Sequence, residues 1–360
     1  MYDLILISPI NTQLGRFKRF VPRSVPIGIG ILAGFLRKQG LSVKIIDQEL
    51  IDININTIKD IFEQCKKPHI VGVSVMTANV ASGYRIAELI KSVDKEAVVV
   101  FGGIHATVMP DEILQNGNID FIVKGEAEYT FLELIRQIQG GSLERDKLEN
   151  IGFVEDGKIV YTKTSTKMVD VNEVPMFPYD MYDPSQYNLG FILTSRGCPF
   201  DCIFCSQRVI TKRSYRYTSS ERVIEELDYL INELKQPNIT FFDDYFTGNK
   251  KRVFELCEMI QKKGFHKKAS FGVQTRGDSI NKELMKAMRA ANFNSLMFGV
   301  ETASENLMKL INKAETVQEN IDAIKLAREM GFAVEATFIF GFPTETFDDR
   351  FAALSLAHEM

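Results

Sequence analysis

Residues 190–206 read GFILTSRGCPFDCIFCS, a short apolar run closed by a Gly-Cys-Pro turn that opens a C-x3-C-x2-C spacing at Cys198, Cys202 and Cys205. Three thiolates are one too few for a closed metal site. Structural zinc normally takes four protein ligands, and a ferredoxin-type 4Fe-4S cluster takes four cysteines. A cubane held by three cysteines leaves one iron open to a small molecule. A zinc knuckle would need a fourth Cys or His close by, and no histidine lies between His105 and His266. Gly197 and Pro199 bracket the first cysteine, and Phe204 stands directly before the last.

Outward from this loop, apolar β-branched runs alternate with helical patterns in both directions. Downstream, GFILTSR, NITFFDDYF, ASFGVQTR, NSLMFGVET and AVEATFIFGFP read as strands, separated by helices such as SERVIEELDYLINEL and KRVFELCEMIQKK. With the cysteine loop after its first strand, this array predicts a partial (β/α) barrel of about five units over 189–360, its working loops at the carboxyl ends of the strands. The last residues fall inside the fifth helix, so we expect a fragment or an unusually short barrel. Upstream, DLILISP, SVKIIDQ, HIVGVSV, AVVVFGG and FIVKGE alternate with helices such as NVASGYRIAELIKSV and predict a doubly wound Rossmann-like α/β domain over 1–140. Between the two arrays, 141–188 reads as a hairpin, IGFVEDGKIVYTK, and a proline-interrupted linker, VNEVPMFPYDMYDPSQY.

With 360 residues, 45% hydrophobic and 25% charged, the chain has room for two domains with their own cores. A net charge of −4 argues against a general nucleic-acid binder. The N-terminus lacks the pattern of a signal peptide, and PIGIGILAGFL is too short to span a bilayer, so we expect a cytoplasmic protein without a membrane span. Five cysteines, three of them clustered, fit a reducing compartment and a metal site. Cys65 and Cys257 fall on helical patterns and read as packing residues.

The spacing C-x3-C-x-aromatic-C resembles the radical S-adenosylmethionine (SAM) enzymes. The resemblance implies that the open iron chelates SAM and that Cys198, Cys202 and Cys205 hold the cluster, with Phe204 beside SAM. It also implies SAM-binding roles at later strand ends. Asp243 and Asp244 stand where many members carry a Gly-Gly-Glu segment that meets the SAM amino group, which leaves open which of the two faces it. Arg276 in FGVQTRGD suits the SAM carboxylate, Glu301 in FGVETASENL resembles G-V-E-S-G, and Gly341 and Pro343 in FIFGFPTET resemble a loop near the adenosine.

In the first array, Gly28-x-Gly30-x-x-Ala33 with Asp47 downstream invites a dinucleotide reading. That fingerprint needs its glycines in the turn directly after the first strand, and here NTQLGRFKRFVPRS intervenes. The pattern P-x-G-x-G-x-L-A followed by K-Q-G-x-x-V-x-x-x-D instead resembles the cobalamin-binding domain found N-terminal to many radical SAM enzymes. The resemblance implies cobalamin contacts at Ser74, Thr77, Gly102, Gly103, His105, Gly125, Glu126 and Glu128. The D-x-H-x-x-G motif that supplies an axial histidine elsewhere is missing, since NTQLGRF contains no histidine, and His105 reads as a supporting or packing residue.

The whole chain thus resembles the cobalamin-dependent radical SAM group of methyltransferases and the anaerobic magnesium-protoporphyrin ester cyclase. That implies a 4Fe-4S cluster, SAM and cobalamin as cofactors, a small-molecule substrate, and a reductase donor such as flavodoxin or ferredoxin. Two rivals remain at this point: a radical SAM enzyme whose first domain no longer binds cobalamin, and a non-catalytic iron–sulfur or corrin sensor.

Overall fold

Seven strands form the first sheet: β1 Leu4–Ser8, β2 Val43–Asp47, β3 Ile70–Ser74, β4 Val98–Gly102, β5 Phe121–Val123, β6 Ile151–Glu155 and β7 Lys158–Tyr161. They come from a computed structural model that describes residues 1–11, 24–165 and 167–360. The strand order is β2-β1-β3-β4-β5-β6-β7, parallel through β5. Side chains alternate across each strand. Ile5, Ile7, Val71, Val73 and Phe101 therefore join one core, and Leu4, Leu6, Ile70 and Val100 join another on the opposite face. Burial on both faces is why these strands are near-continuous apolar runs. The hairpin expected after this domain forms, and it extends the sheet: β6 pairs antiparallel with β5, and β7 with β6.

The order reverses between β1 and β3, which makes the carboxyl ends of those strands the switch point where ligands of open α/β sheets bind. The segment after β1, including most of NTQLGRF, lies outside the described residues.

The linker does not hang free of the first sheet. Phe177, Tyr179, Tyr182 and Tyr187 are buried, and the helix Ile27–Lys38 makes room for this stretch with its glycines. A methyl group on Gly30 would collide with the Phe177 ring and with the Tyr182 hydroxyl, and one on Gly34 would press on Pro178. Tyr187 donates to Asp47 at 2.8 Å, and Asp47 also accepts from the Glu49 N–H, so this carboxylate serves the fold. The compact units of the chain are Met1–Asn188 and Leu189–Met360.

The second unit holds β8 Phe191–Ile192, β9 Ser195–Arg196, β10 Arg216–Tyr217, β11 Asn238–Phe241, β12 Ser270–Thr275, β13 Phe293–Glu301 and β14 Ala333–Phe338. Five of these make a parallel sheet in the order β14-β13-β12-β11-β8, which is the neighbour-to-neighbour succession of a barrel wall. Its core is rich in phenylalanine, with Phe293 packed at a tilt against Phe241, Phe246 and Phe271 at 5.2–5.7 Å between ring centroids. GFILTSR, expected as one strand, divides into β8 and β9. The reason is that the N–H groups of Thr194 and Ser195 turn to the Asp243 carboxylate. β9 then pairs antiparallel with β10 in a small separate ribbon. No helix among the described residues is long and apolar enough to cross a membrane.

Candidate functional site

Cys198, Cys202 and Cys205 lie on one loop after β9, Cys202 buried and the other two half-buried. Gly197 opens the loop at φ +82°, and a side chain there would run into the Ser214 carbonyl and Thr211, so no other residue fits. The loop is pinned from across the unit by the segment 311–315. Ile203 N–H donates to the Ile311 carbonyl at 3.0 Å, and the Asn312 side chain donates to the Asp201 carbonyl at 3.2 Å. Burial pushes the Cys198 thiol up to about 11 against the pull of the Phe200 N–H and Arg276, and it raises Cys202 against Arg276 and Lys313. Two cations thus stand where thiolate charge would develop, the environment that favours sulfur as a metal ligand. Among the described residues, no three His, Cys, Asp or Glu side chains close around a point that a single ion would fill.

The two aspartates after β11 part company. Asp243 is 2% exposed and accepts from Thr194 N–H (2.6 Å), Thr194 Oγ1 (2.6 Å) and Ser195 N–H (3.1 Å), so its carboxylate is consumed in the core. Asp244 holds the Gly197 N–H at 2.9 Å, one residue before Cys198, and keeps an open side. Protein crowds its other sides, and that burial, together with Asp243, raises its carboxyl above the ordinary range. Neighbouring residues at a strand end point to opposite faces, which is why one is structural and the other available.

Arg276, expected at the SAM carboxylate, has its donors engaged within the protein. Its Nε and Nη2 donate to Asp278 at 2.9 and 2.8 Å, and Nη1 donates to the Lys313 carbonyl at 2.9 Å. Its guanidinium lies 3.7 Å from the Phe200 ring centroid, inside the cysteine loop. A fork so fully committed braces the loop and has little left for a carboxylate. A second buried cation near the loop, not singled out in the sequence, is Lys313. Its buried ammonium meets Glu301 at 3.1 Å, Glu315 at 3.0 Å and the Gly299 carbonyl. Glu301, at φ +67° on a register shift of β13, is thereby joined to the cysteine loop. In sequence Lys313 is one more lysine just past a helix end, where a solvated charge is the ordinary reading.

Phe204 is half-open, its ring 6.0 Å from Phe342 in the loop that carries Gly341 and Pro343. Gly341, at φ +93°, donates its N–H to Glu345 at 2.7 Å, and Pro343 is exposed. The Phe204–Phe342 contact therefore brings these three expected residues near one another.

In the first unit the expected residues gather after β3, β4 and β5. Gly103, at φ +91°, packs on Ser74 and Val75 where a side chain would collide, whereas nothing lies within 4 Å of a methyl group added to Gly102. Thr77 and His105 contact each other, Oγ1 to Nδ1 at 3.0 Å, and Nε2 stands 3.5 Å from Glu112, so both ring nitrogens face protein. Gly125 donates to Thr107, and Glu126 accepts from the Val169 N–H. Glu128 is buried at the start of the helix Glu128–Gly140.

Family models match both units: Radical SAM superfamily over residues 192–357 and B12 binding domain over residues 3–135. The whole chain is 33% identical to an uncharacterized methyltransferase of Pyrococcus horikoshii, covering 78% of it. It is 30% identical, over 89% of its length, to the anaerobic magnesium-protoporphyrin IX monomethyl ester cyclase of Cereibacter sphaeroides, of which it spans 54%. Among solved structures, the cobalamin-dependent SAM radical enzyme OxsB, with aqua-cobalamin and SAM bound, superposes with a TM-score of 0.81 at 23% identity, over 98% of this chain and 51% of that one. The radical SAM methyltransferase TsrM of Kitasatospora setae gives 0.81 at 19% identity, over 100% and 70%. At such identities the likeness speaks to the fold. The chain is a member of the radical SAM superfamily and carries a B12-binding domain ahead of its radical SAM domain.

Proposed function

We propose that this chain performs cobalamin-dependent radical SAM chemistry, methylating or oxidatively modifying an unactivated carbon of a small-molecule substrate. The observation that carries the proposal is the three-cysteine loop, braced by Arg276 and the 311–315 segment and flanked by Lys313, Glu301 and the open side of Asp244. When bound, a 4Fe-4S cluster supplies one-electron cleavage of SAM to methionine and a deoxyadenosyl radical, and a corrin supplies methyl transfer or redox assistance. Cys198, Cys202 and Cys205 hold iron. Asp244, its carboxylate partly open, accepts from the SAM amino group, while Lys313, its three donors taken by Glu301, Glu315 and the Gly299 carbonyl, holds Glu301 in place and adds positive charge behind the loop. Phe204, Gly341 and Pro343 line the adenosine side, where an aromatic face and close backbone suit a nucleoside. Asp243 and Arg276 position the loop without touching ligand.

In the first unit, Ser74, Gly102, Gly103 and Gly125 let the backbone approach a corrin or its nucleotide tail, with Thr77, His105, Glu126 and Glu128 supporting those loops. A flavodoxin or ferredoxin supplies the electron, in a reducing cytoplasm that suits five free cysteines. Nucleic acid plays no part in this reading.

Anaerobic reconstitution tests it. The expected result is iron and sulfide bound to the cysteine loop, an electron paramagnetic resonance spectrum that changes when SAM is added, and corrin absorbance retained after gel filtration. Zinc in place of iron, or iron whose spectrum ignores SAM, overturns it. Iron without corrin keeps the radical chemistry and removes cobalamin.

A further inference from the structure

From Arg196 to Arg222 the chain carries six basic residues and two acidic ones, in a protein whose overall net charge is −4. The fold gathers this excess beside the cysteine loop. Arg208 and Arg213 both reach Asp201, at 3.2 and 4.0 Å, within the C-x3-C segment itself. Arg196 and Arg216 stand directly opposite each other on the β9–β10 ribbon, where like charges destabilise pairing. Lys212 and Arg213 are exposed on a turn of two successive left-handed residues, φ +51° and +61°. That turn sits against Gly197, one residue from Cys198, with no space for a methyl group between them.

Apolar and aromatic groups lie among these charges. Val209 and Tyr217 are 47% and 41% exposed. From Tyr217 a run of rings leads inward: Tyr215 at 5.8 Å, Tyr245 at 5.9 Å, then Phe200 at 5.4 Å, between Cys198 and Cys202. Arginine and tyrosine around an apolar centre are the composition of protein-binding surfaces. Electron tunnelling favours a short, gap-free packed path.

We infer that the β9–β10 ribbon and the turn around Lys212 and Arg213 form the docking surface for an acidic, low-potential, one-electron carrier protein. The inference rests on the proposed function and adds where its electron enters. With a flavodoxin as carrier, the flavin hydroquinone anion loses one electron to become the neutral semiquinone, and an oxidised cluster held by Cys198, Cys202 and Cys205 would accept it; no proton is exchanged.

The test uses the full chain and a flavodoxin as probe. Affinity is measured calorimetrically at low and moderate salt, on metal-free and reconstituted protein, for the wild type and for Lys212→Glu/Arg213→Glu. Stopped-flow absorbance follows oxidation of flavodoxin hydroquinone, with dithionite as a small reductant for comparison. The double reversal is expected to weaken binding about tenfold or more at low salt and to flatten its salt dependence. Electron transfer from flavodoxin should slow in parallel while reduction by dithionite is unchanged, and the milder Lys212→Gln/Arg213→Gln pair should fall between. Equal affinity and salt slope in wild type and reversal overturn the inference. So does equal slowing with both reductants, which would make the turn a mechanical support of the cysteine loop. A wild type that takes up no cluster sinks the proposed function instead, and binding to metal-free protein still reads the surface by itself.

Discussion

Replacing Asp243 and Asp244 separately should give two different phenotypes from adjacent carboxylates. In Asp243→Ala, three donors lose their acceptor at once, on Thr194 and Ser195, which are 0% and 2% exposed. Each stranded buried donor costs about 1–3 kcal/mol. Water entering the space left by the carboxylate satisfies part of this, so a total of about 3–5 kcal/mol is expected, with Arg252 also losing a nearby counter-charge. Asp244→Asn keeps an acceptor for the Gly197 N–H and removes a charge that its surroundings disfavour. The sign follows from the raised carboxyl: a group whose folded pKa lies above its ordinary 3.8 costs stability as pH climbs through that interval, and the cost persists at neutral pH. Asp244→Asn should therefore be at least as stable as the wild type at pH 7, lose that acid-side slope, and bind SAM more weakly. Urea unfolding of metal-free protein from pH 3 to 8 measures the first two effects, and calorimetry on reconstituted protein measures the third. A wild-type midpoint for Asp243→Ala, or a larger loss for Asp244→Asn than for Asp243→Ala, refutes the division of roles.

Cys202→Ala should lower bound iron and abolish SAM cleavage, whereas Cys257→Ala, fully buried on the helix Lys250–Lys262, should cost only packing, on the order of a few kcal/mol at most; equal iron loss in both would count against the ligand assignment. Burial also pushes the Cys257 thiol up to about 12, so it should resist alkylation in the native protein at pH 8 and react only on unfolding, as followed by mass spectrometry. Phe177→Ala should destabilise the first unit by about 3–5 kcal/mol. Arg37→Ala, which removes only the largely exposed ion pair with Asp180, should cost less than about 1 kcal/mol by the same denaturation assay. Lys313→Met should cost about 3–5 kcal/mol by the same assay, since it leaves the Glu301 and Glu315 carboxylates buried without their counter-charge.

The parallel strands of the first sheet were legible because their apolar runs are buried on two faces, those of the second because β-branched and aromatic runs recur between helical patterns even where only alternate residues are buried, and the cysteine loop because its spacing is sequence-local. What was hidden depended on groups distant in sequence. GFILTSR looks like one strand until Asp243, far along the chain, draws away the Thr194 and Ser195 N–H groups. The carboxylate pair after β11 could not be divided without knowing which way each side chain points. Arg276 presents itself as a free fork until Asp278 and the Lys313 carbonyl are seen to occupy it. Lys313 itself becomes significant only once the 311–315 segment is laid against the cysteine loop.

The glycine pair in the helix Ile27–Lys38 has a practical corollary for anyone dissecting the chain. Because Gly30 and Gly34 shape a trough already filled by Phe177 and Pro178, a recombinant N-terminal piece stopped near residue 140 would bare that greasy trough to water and invite aggregation. A piece carried through Asn188 brings its own plug.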